Sequence, residues 1–299
     1  VPRPRIHVTA SVPAEVEEAL QRDFETSDSP EGVDGIVAML TTRVDGAYLD
    51  RAGPRLRVVA NYAVGVNNVD LAAAADRNVV VANTPDVLTR ATAELAVGLM
   101  LALLRRIAEG DRFVRRREEW LFSLEFMLGS SLDGKRLLVV GPGRIGRETA
   151  RLADALGARP TFAGRDDDLP ALLAAADIVS LHVPLTPATR HLVDADALRA
   201  MPRSAVLVNT ARGPIVDERA LVDALRAGEI AGAALDVFER EPEVEEGLLA
   251  LENVVLTPHL GSATRDTRVA MGMLCVDALR AVLLEGRRPA NAVGLRPAP

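Results

Sequence analysis

Residues 137–146 read LLVVGPGRIG, an apolar run that ends directly in Gly141, Pro142, Gly143, Arg144, Ile145 and Gly146 and continues as a helical pattern to about residue 156. A GxGxxG between a strand and a helix is a strong constraint on fold. The first glycine permits the tight turn, the second lets a pyrophosphate approach the backbone, and the third allows the helix to pack closely on the sheet. The helix N–H groups then face the phosphates. In isolation such a motif is as often a plain glycine turn; the strand before it and the helix after it favour a dinucleotide-binding βαβ unit.

The rest of the chain supports a parallel sheet on either side of this unit. Between residues 5 and 81, short β-branched runs (6–9, 35–39, 58–60, 79–81) alternate with helical stretches such as 13–20 and 71–77, the pattern of an α/β sheet. One long helix is expected from residue 92 to about 117. After the glycine loop, strands are expected at 160–163, 177–182, 205–209, 230–236 and 254–257, which with 137–141 makes six, as in a doubly wound nucleotide-binding sheet. A last long helix at 263–284 leads into a Pro-rich tail with Asn291, expected to cross back to the first domain.

A length of 299 residues suits two domains, with a cleft as the default ligand site. A net charge of -7, with arginines interleaved among acids, lacks the footprint of a nucleic-acid binder. The longest apolar run, 95–104, is about half of what spans a bilayer and is followed by Arg105 and Arg106, so no membrane partner is expected. A single cysteine, Cys275, excludes an internal disulfide framework. Without a signal-peptide pattern, this points to the cytoplasm. No metal site is expected.

In NAD enzymes an acidic residue about 20 positions beyond the glycine loop accepts hydrogen bonds from the ribose. That position here is Gly164, followed by Arg165. A missing carboxylate removes repulsion toward a 2′-phosphate, and an Arg fork adds charge-assisted bonds of about 1.5 to 3 kcal/mol. NADP(H) is therefore expected over NAD(H). Against it, Asp166, Asp167 and Asp168 follow at once, and one of them would serve the ribose if the loop turned back. A solvated loop arginine is the bland alternative for Arg165.

Three charged residues follow the ends of expected strands late in the chain: Arg212 in NTARGPIVD, Glu241 in LDVFEREP and His259 in LTPHLGSAT. Residues at that edge of an open sheet can converge on one cleft despite separations of 29 and 18 positions. Reduction of a carbonyl needs a proton donor titrating near neutrality, which suits histidine. A carboxylate on its second ring nitrogen would fix the tautomer and favour the charged form; Glu241 is the candidate. A substrate carboxylate calls for a permanent forked cation, and Arg212 fits. Taken singly, each residue is as readily a surface group or a structural histidine. His7, His182 and His191 compete with His259, and His182 also ends a strand.

Across nearly its whole length the sequence resembles the D-isomer-specific 2-hydroxyacid dehydrogenases, most closely the glyoxylate and hydroxypyruvate reductase branch. The matching stretches are VVANYAVGVNNVD (58–70), NTPDVLTRATAELAVGLMLAL (83–103), GDRFVR (110–115), GPGRIG, VPLTPAT (183–189), NTARGPIVDE (209–218), AGAALDVFEREP (231–242) and NVVLTPHLGSAT (253–264). The resemblance implies a Rossmann dinucleotide-binding domain (93–284) inserted in a flavodoxin-like substrate domain (1–92 and 285–299), both doubly wound parallel sheets. It implies reduction of a small 2-keto acid to the 2-hydroxy acid, with Arg212 as substrate-binding arginine, Glu241 as carboxylate partner and His259 as acid/base. The turn at Val64 and Gly65 corresponds to the loop whose N–H groups hold the substrate carboxylate. Thr92 corresponds to a residue touching the cofactor phosphates and Asp236 to the aspartate near the nicotinamide amide. His182, Val183, Pro184, Thr210, Ala211, Arg212, His259 and Gly261 fall at further cofactor positions, as do Gly164, Arg165 and Asp166. A homodimer formed through the nucleotide-binding domain is also implied.

The segment after Trp120, LFSLEFMLGSSLDGK, is short where the reductases carry aromatic substrate-loop residues, and the stretch from Arg165 to Ala174 is abbreviated. Two other readings stay open: a dehydrogenase for D-lactate, D-glycerate or 3-phosphoglycerate, and a dinucleotide-sensing corepressor that keeps the same three residues.

Overall fold

The computed structural model describes residues 2–294 and contains two units, Val1–Leu88 with Ser262–Pro299, and Thr89–Gly261. The second interrupts the first along the chain, with bounds of Thr89–Gly261 rather than 93–284. The first opens with β1 (Arg5–Val8), α1 (Ala14–Asp23), β2 (Glu25–Ser27), β3 (Gly35–Ala38), α2 (Gly46–Ala52), β4 (Val58–Asn61), α3 (Leu71–Asp76) and β5 (Val80–Ala82). The second runs α4 (Thr89–Leu104), α5 (Ile107–Arg115), β6 (Arg136–Val140), α6 (Arg144–Asp154), β7 (Arg159–Ala163), α7 (Leu169–Ala174) and β8 (Ile178–Leu181). It continues with α8 (Ala195–Ala200), β9 (Val206–Asn209), α9 (Glu218–Ala227), β10 (Gly232–Leu235), α10 (Glu246–Leu249) and β11 (Val254–Leu256). The chain then adds α11 (Arg265–Leu283) and β12 (Ala292–Val293) to the first unit.

The first sheet has the order β12-β5-β4-β3-β1-β2, parallel except for β12. Its parallel strands follow the flavodoxin-like 2-1-3-4-5 order. Strands β3 and β4 are buried along their whole length, because helices cover both faces of a parallel sheet. Ile36, Val59 and Val81 enter one core with Val44, Leu49 and Leu56. α11 lies close against β3: a Cβ added to Gly35 would come within 2.7 Å of the Leu279 side chain. Gly272 of the same helix faces Val16 and Tyr62. The helix expected to close the nucleotide domain at 284 therefore belongs to the first unit. Its amphipathic pattern shows a buried stripe without saying which sheet buries it.

The second sheet, β11-β10-β9-β8-β6-β7, is parallel throughout. Alternate residues of β6 enter opposite cores, Leu137 and Val139 with α4, and Leu138 and Val140 with the core that includes Leu221 and Leu225 of α9. The order reverses between β6 and β8, where a doubly wound sheet opens a crevice at its carboxyl edge. The usual dinucleotide-binding order has one more strand outside the second. Here the abbreviated segment after Arg165 leaves β7 at the edge, with Phe162 38% exposed under the Arg147 guanidinium, 5.5 Å from the ring centroid. The single helix expected over 92–117 is two: Arg106 adopts a left-handed φ of 54° between α4 and α5, and its guanidinium pairs with Glu109.

Candidate active site

Gly141 has φ 102°, and a Cβ there would lie 2.7 Å from the His182 carbonyl oxygen. At Gly146 a Cβ would meet the Gly141 carbonyl oxygen at 2.2 Å, so this glycine lets α6 start against the strand end. Gly143, by contrast, has open space where a side chain would be, and it precedes the first turn of α6. A cradle open only at its middle glycine fits a pyrophosphate over the helix N-terminus. Pro142 and Ile145 are partly buried, and Arg144 is exposed. Thr210 supplies a second mark of fit: its hydroxyl is buried at the carboxyl end of β9 without a hydrogen-bond partner among the described residues.

Beyond β7, the Gly164 N–H donates to Asp167 at 2.7 Å, and Asp168 caps α7 by accepting from Ala171 N–H at 3.2 Å. Arg165 and Asp166 are exposed and have no side-chain partner among the described residues. Thr92 is buried in the first part of α4, with its side chain beside Gly261. His182 hydrogen-bonds Ser180 through Nε2 at 2.8 Å, and burial pushes its imidazole down to about 4. It is neutral near pH 7. Val183 is partly buried and Pro184 follows beyond it.

Arg212, Glu241 and His259 come together in the second unit. Nδ1 of His259 lies 2.9 Å from Oε2 of Glu241, and the other carboxylate oxygen accepts the Phe238 N–H at 3.1 Å. Burial would raise the Glu241 carboxyl, but the hydrogen bond and charge of His259, the Phe238 N–H and the Arg212 charge together hold it below the ordinary carboxylate value. An ionised carboxylate only accepts, so Nδ1 carries a proton and Nε2 faces outward from the pair. Burial lowers the Arg212 guanidinium, opposed by the Glu241 charge, and it stays cationic at neutral pH.

Backbone contacts bring these loops to one place. Gly213 lies so close to the next loop that a Cβ would meet the Phe238 carbonyl carbon and oxygen at 1.9 Å. Asn209 shapes the Arg212 turn, donating to the Arg212 carbonyl at 2.9 Å and accepting from the Ala211 N–H at 3.0 Å. Glu218 and Glu239 each accept the other's backbone N–H, at 2.7 and 3.1 Å.

Asp236 is fully buried. Its carboxylate accepts from Thr257 Oγ1 at 2.6 Å, Leu260 N–H at 2.7 Å and Gly261 N–H at 2.8 Å, while its carbonyl accepts the His259 N–H at 2.8 Å. These bonds bracket His259, whose φ is 55°. In the sequence, Asp236 is marked locally only as a polar residue closing an apolar run, not for this holding role. The other histidines are engaged elsewhere: His7 with the Ser27 carbonyl, and His191 with Glu239 at 3.1 Å and Asp217 at 3.9 Å.

Val64 and Gly65 lie in the first unit, in the turn after β4. Asn83 donates to the Val64 carbonyl and Asn61 to the Gly65 carbonyl, both at 2.8 Å. No group of three or more His, Cys, Asp or Glu suited to a metal ion, and no helix long and apolar enough to cross a membrane, occurs among the described residues. Cys275 is buried, which raises its thiol well above the ordinary value.

The NAD-binding domain profile of the D-isomer-specific 2-hydroxyacid dehydrogenases matches residues 97–261. A glyoxylate reductase of Thermococcus kodakarensis is 42% identical over a 303-residue alignment covering 91% of each chain. A Thermus thermophilus protein superposes with a TM-score of 0.91 at 42% identity, covering 97% of this chain and 100% of that one. The NADPH-dependent glyoxylate/hydroxypyruvate reductase of Sinorhizobium meliloti, in complex with NADP and malonate, gives 0.87 at 38% identity, covering 99% and 98%. The chain belongs to the D-isomer-specific 2-hydroxyacid dehydrogenase family, an oxidoreductase family, and its second unit is the dinucleotide-binding domain.

Proposed function

We propose that this enzyme reduces glyoxylate or hydroxypyruvate to the 2-hydroxy acid, with His259 as the proton donor. The His259–Glu241 pair carries the reading: Nδ1 is held by a carboxylate, so Nε2 is the nitrogen that gives its proton to the carbonyl oxygen. When bound, the nicotinamide supplies the hydride. Arg212 polarises the carbonyl and binds the substrate carboxylate through its fork. The Val64–Gly65 turn of the first unit is read by itself as a cradle of backbone N–H groups for a carboxylate. The glyoxylate reductases among the relatives support the substrate class.

NADPH is the preferred donor in this reading. Asp167 and Asp168 are bound to local N–H groups, leaving Arg165 without a partner among the described residues beside a glycine that carries no charge. The enzyme acts as a homodimer through its nucleotide domain, a reading supported by Leu121, Phe122 and Leu124, each 84–88% exposed in one stretch of chain.

Initial rates of NADPH and NADH oxidation with glyoxylate, hydroxypyruvate and pyruvate test the assignment. Fast NADPH turnover with either of the first two acids is expected. Turnover with pyruvate alone would point to another 2-hydroxy acid, and none at all to a cofactor-sensing binding protein.

A further inference from the structure

The turn after β4 is held by side-chain amides. Asn61, wholly buried at the end of β4, donates to the Gly65 carbonyl at 2.8 Å and accepts from Asn68 Nδ2 at 2.9 Å. Asn68 also donates to the Thr42 carbonyl at 3.1 Å. Asn83, just beyond β5, donates to the Val64 carbonyl at 2.8 Å. Its own backbone is fixed by the returning chain: Asn291 Nδ2 donates to the Asn83 carbonyl at 2.5 Å, and the Asn83 N–H donates to the Asn291 carbonyl at 3.1 Å.

In a trans peptide the N–H points opposite to the C=O of the same plane. Fixing the Val64 and Gly65 carbonyls therefore fixes the N–H groups of Gly65 and Val66 on the opposite side. Two sequential N–H groups on clamped planes, neither with an acceptor among the described residues, are available to an anion.

We infer that Asn61 and Asn83 are positioning residues that aim the Gly65 and Val66 N–H groups at the substrate carboxylate. Asn68 and Asn291 hold those two in turn. The inference rests on the reading of this turn as the carboxylate cradle. A carbonyl left without its clamp turns toward water, and the plane that carries the N–H turns with it.

The test uses Asn83→Ala, Asn83→Asp, Asn61→Ala and Val66→Pro, the last deleting one of the two N–H groups. KM for glyoxylate, kcat, the inhibition constant of the unreactive carboxylate oxalate, and the Kd for NADPH are measured for each. For the asparagine variants KM and the oxalate constant should rise together by about tenfold to a hundredfold, with kcat and NADPH Kd within about twofold. Asn83 is only half-buried and carries the test should Asn61→Ala fail to fold. Loss of kcat at unchanged KM would overturn the inference. A KM effect from Val66→Pro without one from the asparagines would also overturn it, leaving the cradle reading intact. Unchanged KM and oxalate binding in every folded variant, Val66→Pro included, would remove the cradle itself.

Discussion

His259 Nδ1 lies 2.9 Å from Oε2 of Glu241, on a backbone whose left-handed φ of 55° is bracketed by four hydrogen bonds to or around Asp236. The carboxylate of Glu241 orients the ring; Asp236 orients the backbone that carries it. A proton-transferring group needs both, because geometry governs transfer as strongly as proton affinity does.

The pH dependence of stability should bear the mark of His182. Burial holds it at about 4 against an ordinary 6.5. The unfolded chain takes up a proton near 6.5 that the folded one refuses until about 4, so this contribution is full above 6.5 and is lost as pH falls toward 4. Linkage sets the loss at up to about 3 kcal/mol. Urea midpoints between about pH 7 and pH 4 should fall less steeply for His182→Gln than for the unaltered chain; parallel curves would contradict the assignment.

Two of the loop glycines, Gly143 and Gly146, should separate by role. Gly143→Ala places a Cβ in open space with an ordinary φ of -74°. It should leave the melting temperature unchanged while weakening NADPH by about tenfold or more. Gly146→Ala forces a contact with the Gly141 carbonyl and should cost about 1 to 3 kcal/mol of stability. Calorimetry with and without NADPH distinguishes the two, and equal behaviour would argue against a phosphate cradle.

Arg165→Ala should weaken NADPH by about ten- to a hundredfold, from loss of charged hydrogen bonds to the 2′-phosphate, and leave NADH nearly unchanged. Fluorescence titration with both dinucleotides gives the comparison. Equal losses would mean that Arg165 orders its loop rather than reading the phosphate.

The architecture was legible where burial imposes a pattern. Strands buried on both faces, such as β3 and β10, read as continuous runs without a polar side chain, and the glycine loop marked the turn between β6 and α6. The three-residue β2 did not, being exposed and polar at Glu25 and Thr26. Nor did the break at Arg106, since nothing in a run of leucines and arginines requires a left-handed residue there. Arg212, Glu241 and His259 stood out by residue type at strand ends. Asn61, Asn209 and Asp236 act through bonds to backbone groups in other loops, and a polar residue closing an apolar run was their only local signal.

A folded, cofactor-competent chain should lose proton transfer when the imidazole of His259 is removed. The most direct measurement is the initial rate of NADPH oxidation with saturating glyoxylate for the unaltered enzyme and His259→Ala, alongside the NADPH Kd of each. Turnover should drop by about 10²- to 10⁴-fold with Kd nearly unchanged. Unchanged turnover in a variant that binds NADPH normally would contradict the role given to His259.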